Sequence, residues 1–153
     1  LQLTRGPYLQ MGTPTSMVVR WRTGAPSDST VLYGPAPDSL IWQASVPGSV
    51  IEHEVRLTGL TPDTKYYYAV GSSTAQLAGD STHFFVTPPP VGGPSTTRVW
   101  VLGDSGTANA NARAVRDAFY AINGSSWVNL WLMLGDNAYN SGLDQEFQAA
   151  VFN

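Results

Sequence analysis

The stretch LTGLTPDTKYYYAV, residues 57–70, decides how the front of this chain is read. Leu60, Pro62, Thr64 and Tyr66 stand at alternate positions in an L-x-P-x-T-x-Y spacing. Pro62 stiffens a turn, and the aromatic run behind it favours a strand. Tyr66 opens that strand, so its ring can pack inward while its hydroxyl returns to a backbone group at the corner. Such a corner joins strands of a β-sandwich.

Working outward, the neighbouring segments also read as strands. TSMVVRWRT (15–23) alternates, with Met17, Val19 and Trp21 on one face and Val18, Arg20 and Arg22 on the other. STVLYG (29–34) is a brief strand closed by Gly34-Pro35, and THFFVT (82–87) supplies another. VIEHEVRL (50–57) places Ile51, His53, Val55 and Leu57 on one face and Glu52, Glu54 and Arg56 on the other. Short strands separated by Gly, Pro, Asp and Ser turns predict an all-β sandwich over residues 1–87. With Trp21 and Tyr66 as structural anchors, this part resembles a fibronectin type III domain.

The texture changes at TPPPVGGPST (87–96), whose prolines and glycines favour an extended connector, so residues 88–96 are expected to be a linker. Beyond it, RVWVLGD (98–104) and WVNLWLMLGD (127–136) are continuous apolar runs, as in strands buried on both faces. Between them, Val115, Ala118, Phe119 and Ile122 follow helical spacing within residues 109–122, and NGSS (123–126) stops the helix. LDQEFQAAVFN begins a second helix with Leu143, Phe147 and Val151 inward. Strand, helix, strand, helix is the start of a parallel α/β domain over residues 97–153. Two strands and two helices cannot cover both faces of a parallel sheet. The expectation is therefore an N-terminal piece of a larger protein, with possible self-association through the incomplete α/β sheet.

Composition excludes several classes. The 153 residues are 42% apolar and carry a net charge of only −3, which suits a packed globular protein without a basic face for nucleic acid. No apolar run reaches the roughly 20 residues of a membrane helix. The N-terminus, LQLTRGPYLQ, has neither an initiator Met nor a secretory h-region and reads as a processed start. With no cysteine there is no disulfide framework and no thiolate metal site. Only two histidines exist, His53 and His83.

Two carboxylates share one setting. Asp104 in VLGDSG and Asp136 in LMLGDNAY each follow a Gly at the carboxyl end of an apolar strand, the edge where open α/β sheets bind ligands. Neighbouring strands lie about 4.8 Å apart, and two-metal sites hold their ions roughly 3.5–4 Å apart. Gly103, Gly106 and Gly135 would keep the backbone slim where a substrate or metal approaches. By residue type alone, each Asp is equally at home as a turn or helix-cap residue, and Tyr139 as an aromatic packed on its loop.

GDSG (103–106) and GDNAY (135–139) resemble the first two motifs of the metallophosphoesterases, the second in the Tyr-containing form of the purple acid phosphatases. RGPYLQ (5–10), SMVVRWRT (16–23), VLYG (31–34), HEVRLTGLTPDTKYYYAVG (53–71) and FFVTPPP (84–90) resemble the fibronectin-like N-terminal domain of bacterial members of that family. The resemblance implies a secreted or periplasmic phosphatase that hydrolyses phosphate monoesters at a dinuclear metal centre of Fe plus Zn, Mn or Fe. It implies Asp104 as a terminal ligand of the ferric ion, Asp136 as the bridge between the ions, and Tyr139 as a phenolate ligand. The family's Asn motif and its two His motifs are not in this sequence. Neither His53, read as a core or interface histidine, nor His83 can substitute for them, and Asn137 and Asn140 do not match the Asn motif. The chain by itself is therefore expected to be inactive, with little metal affinity. The alternative is a fibronectin-type interaction or adhesion module with a non-catalytic α/β remnant. A nucleotide-binding reading is disfavoured, because VLGDSGTANA lacks both the P-loop lysine and the G-x-G-x-x-G spacing.

Overall fold

The computed structural model describes residues 1–152, and its contacts divide the chain into two compact units, Leu1–Pro94 and Ser95–Asn153. The first unit is built from six strands: β1 (Leu3–Thr13), β2 (Ser16–Gly34), β3 (Trp42–Thr58), β4 (Lys65–Gly71), β5 (Gln76–Ala78) and β6 (Phe84–Val86). The two segments expected as separate strands at 15–23 and 29–34 are one strand, β2. Gly24, Pro26 and Asp28 suggest a turn, yet the chain bends and keeps its antiparallel pairing with β3 through register shifts between Arg22 and Ser29. Such irregularities sharpen the local bend without ending a strand. Likewise β3 begins at Trp42, well before the expected 50–57, and the expected strand at 82–87 shortens to β6.

That bend makes the sandwich. Upstream of it, β2 lies between β1 and residues 52–58 of β3. Downstream, it lies between residues 42–46 of β3 and β4, which in turn pairs with β5 and β6. Met17, Val19, Trp21, Val55 and Leu57 from the first layer meet Val31, Tyr66, Tyr68, Val70 and Phe85 from the second in a single cluster. Burying each large side chain contributes about 1.5–3 kcal/mol, so this cluster is where the unit's stability resides. At the corner, the Tyr66 hydroxyl accepts the Thr61 N–H at 3.0 Å, while its ring stacks on Phe85. On the outer face, Arg20 pairs with Glu54 and Arg22 with Glu52 across β2 and β3. Exposed pairs of this kind contribute at most about 1 kcal/mol.

The second unit comprises β7 (Val99–Leu102), α1 (Ala110–Asn123), β8 (Leu130–Met133) and α2 (Asp144–Val151). The strands are parallel direct neighbours, with Val99 opposite Leu130 and Leu102 opposite Met133. Trp100 stacks on Phe119 of α1 at 4.1 Å and on Trp131 at 5.3 Å, and Ala149, Ala150 and Val151 near the end of α2 line a cavity on this side. The other face bears Val99, Val101, Leu130 and Leu132, all exposed. The apolar runs read as strands buried on both faces thus leave one face open, as expected of a sheet with too few helices to cover it.

Asn109 caps α1 by accepting the Ala112 N–H at 3.0 Å. Gly124, at φ 58, ends the helix by donating to the Tyr120 carbonyl. Of the expected inward set, Phe119 packs on Trp100, whereas Val115, Ala118 and Ile122 are exposed. The Trp100 ring selects the Ala112–Arg116–Phe119 edge of the apolar stripe, and the rest of it faces outward. In α2, Phe147 and Val151 are half-buried but Leu143 is exposed. The Glu146 carboxylate there accepts the Leu143 N–H, which holds its carboxyl below the usual range.

Candidate functional site

Both strands of the second unit end in the same way. β7 runs into Gly103-Asp104 and β8 into Gly135-Asp136. Each aspartate takes a left-handed backbone, φ 57 at Asp104 and φ 54 at Asp136. Asp and Asn tolerate that region better than other residues with a Cβ. The same left-handed Asp conformation at the ends of adjacent parallel strands carries the two carboxylates to the same edge.

The pairing continues past the strand ends and stitches the two loops together. Leu134 N–H donates to the Leu102 carbonyl at 2.9 Å, and Asp104 N–H to the Gly135 carbonyl at 3.1 Å. Gly106 N–H donates to the Asp136 carbonyl at 2.9 Å, and Tyr139 N–H returns to the Gly106 carbonyl at 3.0 Å. Gly106 is required by this contact. A Cβ there would stand 2.3 Å from the Ala138 nitrogen and 2.5 Å from the Asn137 carbonyl carbon. The space expected to admit a substrate or metal at Gly106 is instead filled by the neighbouring loop.

This stitching delivers Tyr139 between the carboxylates. Its hydroxyl is hydrogen-bonded to Asp104 Oδ1 and lies 2.6 Å from Asp136 Oδ2. The two acceptors hold the phenol above its ordinary pKa, Asp104 contributing most and Asp136 next. Asp104 and Asp136 are exposed and Tyr139 partly so, leaving the trio accessible. Asn137, between the two site residues, has a buried side-chain carbonyl with no partner. Sequence pattern carried no sign of this, because the burial depends on how the loops pack.

Two carboxylates and a phenol are hard oxygen donors, suited to ferric iron and to hard divalent ions. Among the described residues, no group of three or more His, Cys, Asp and Glu side chains could hold an ion. Both histidines lie in the first unit and are engaged there: His53 is buried, and His83 pairs with Asp80 at 2.8 Å.

The family model for the purple acid phosphatase N-terminal domain matches residues 5–87. Acid phosphatase type 7 of Mus musculus is 34% identical over 150 residues, covering 89% of this chain and 32% of that protein. The chain thus spans about a third of the length of this curated relative. A solved structure of PhoD aligns with 92% of this chain and 28% of its own, with a TM-score of 0.60 at 15% identity, a likeness of fold alone. The fn3 domain of human contactin 1 aligns with 63% of this chain and 83% of its own, with a TM-score of 0.44 at 22% identity. No helix among the described residues is long and apolar enough to cross a membrane.

Proposed function

Because the chain belongs to the purple acid phosphatase family, we propose that it carries the fibronectin-like domain and the first two ligand loops of a metallophosphoesterase domain acting on phosphate monoesters. The observation that carries this reading is the meeting of Asp104, Asp136 and the Tyr139 hydroxyl at the ends of two adjacent parallel strands. In this reading residues 1–87 form the sandwich domain, 88–96 the linker and 97–153 the beginning of the catalytic domain. Asp104, Asp136 and Tyr139 would be the residues of this chain that hold the centre, a ferric ion with Zn, Mn or Fe beside it, as the family resemblance implies. Such a dinuclear centre supplies charge that acidifies a water nucleophile and clamps phosphoryl oxygens during in-line displacement.

The chain's own residues have a narrower task. The left-handed turns at Asp104 and Asp136 aim both carboxylates at one locus. The stitched loops hold the Tyr139 oxygen against them, so the donors are pre-positioned on rigid strand ends. With only three oxygen donors, the purified chain is expected to retain little iron and to turn over no phosphate ester. A secreted or periplasmic location is part of the same proposal. The test is metal analysis of the chain after incubation with ferric iron and zinc, then assay with a chromogenic phosphate monoester. Substoichiometric iron and no turnover are expected. A coloured protein with stoichiometric iron, or measurable hydrolysis, would contradict the claim that the donor set is half complete.

A further inference from the structure

The bend in β2 is closed by a buried histidine. His53 of β3 is 2% exposed, and its ring lies parallel to the Trp21 indole, with centroids 4.8 Å apart. Its Nε2 is 2.7 Å from Thr23 Oγ1 and its Nδ1 is 2.8 Å from Ser29 Oγ. Thr23 and Ser29 flank the segment where the register between β2 and β3 shifts. One imidazole therefore ties the upstream half of β2 to the downstream half.

The protons in this cluster can be assigned. The Thr23 hydroxyl donates to the Ala25 carbonyl at 2.9 Å, so its oxygen faces His53 as an acceptor. Nε2 then carries the ring hydrogen, and Nδ1 accepts from the Ser29 hydroxyl. The neutral ring thus matches one acceptor and one donor. A second ring proton, taken from solvent onto Nδ1, would face the Ser29 hydroxyl, which must rotate its own hydrogen away while only 1% exposed.

The surrounding charges act both ways. Glu52 on β3 and Asp28 in the bend of β2 favour an imidazolium, but burial outweighs them and holds the pKa of His53 below its usual value. Arg22 stands opposite Glu52 and pairs with it, and Arg5 of β1 stands opposite Arg22. Glu52 is therefore partly neutralised.

We propose that His53 is an acid-sensitive clamp on the bend of β2. Neutral, it joins Thr23 to Ser29. Protonated, it carries a charge into a buried site and needs the Ser29 hydroxyl to turn from donor to acceptor, and the bend opens locally while the rest of the sandwich stays folded. The open state has the ordinary histidine pKa of about 6.5, and the closed state a lower one. Closure is therefore fully favoured above that ordinary value and weakens as pH falls through it towards the lower, closed-state pKa.

The test is an NMR titration of His53 in the chain from about pH 8 to about pH 4. Amide exchange at residues 24–30 and 46–53, corrected for intrinsic rates, is followed in parallel. The expected result is an Nε2–H tautomer for His53 at high pH and titration below the ordinary value. Exchange in the bend should accelerate about tenfold or more between about pH 7.5 and about pH 5. Ser29→Ala should exchange fast at both pH values and lose the dependence. An Nδ1–H tautomer, an ordinary or raised pKa, or pH-independent corrected exchange would overturn the proposal. Should Ser29→Ala not fold, the wild-type titration and exchange decide alone.

Discussion

Gly106 sets the geometry of the site from outside the trio of donors. Its N–H and carbonyl bind the loop that carries Asp136 and Tyr139, and its missing side chain lets that loop lie against it. Gly106→Ala should force the two loops apart, at a cost of about 1–3 kcal/mol, typical of overpacking. Hydrogen exchange should show lost protection at the amides of Asp104 and Tyr139, with β1–β6 unchanged; full protection of both amides would contradict this. Tyr66→Phe, by removing the hydroxyl that receives the Thr61 N–H, should lower stability by about 1 kcal/mol in urea unfolding. The repeated Gly-Asp placed Asp104 and Asp136 at two strand ends, whereas Tyr139 was singled out only by its resemblance to the Tyr-containing motif; the structure brings the three side chains together. The service of Gly106 to the neighbouring loop and the buried carbonyl of Asn137 were not legible in the sequence. The first arises from a contact between segments about thirty residues apart, and no local pattern encodes either.

At the scale of elements, alternation revealed the inward Met17, Val19 and Trp21 of β2 and His53, Val55 and Leu57 of β3, but not that Val18 is buried and Ile51 exposed, nor where the strands end. Gly24, Pro26 and Asp28 carry turn chemistry, and only the pairing with β3 shows that the backbone continues as one bent strand. Periodicity also marked α1 correctly while assigning its inward face too far round, because the Trp100 ring decides which edge of the stripe packs. The cap is local and should behave locally. Asn109→Ala should cost α1 about 1 kcal/mol, seen as reduced helical circular dichroism and faster exchange of the Ala112 amide. The outer-face pairs Arg20–Glu54 and Arg22–Glu52 should matter little: Glu54→Gln should shift stability by under about 1 kcal/mol, and less at high salt. A larger loss would mean that the pair is more rigid than its exposure implies.

Across the whole molecule, burial is uneven. The apolar cluster that excludes water lies wholly within Leu1–Pro94, whereas in the second unit only Gly106 and Ala138 are buried among the described residues. Limited proteolysis should therefore cut within residues 95–152 first and leave a resistant fragment containing β1–β6. Early cleavage inside β2 or β4 would contradict that ordering. The same asymmetry explains why the sandwich was easier to read than the α/β unit. A strand in a closed core must alternate or be apolar throughout, whereas the runs at 98–104 and 127–136 suggested a burial that the described residues supply on one face only. The central claim is that Asp104, Asp136 and Tyr139 form the oxygen half of a metal site. It is tested most directly by adding Mn(II), at up to about millimolar concentration, to isotope-labelled chain and recording paramagnetic broadening residue by residue. The account predicts weak broadening centred on residues 103–106 and 135–139 that disappears in Asp136→Asn. Broadening centred elsewhere, such as at Asp80 and His83, or none at 103–106 and 135–139, would contradict it.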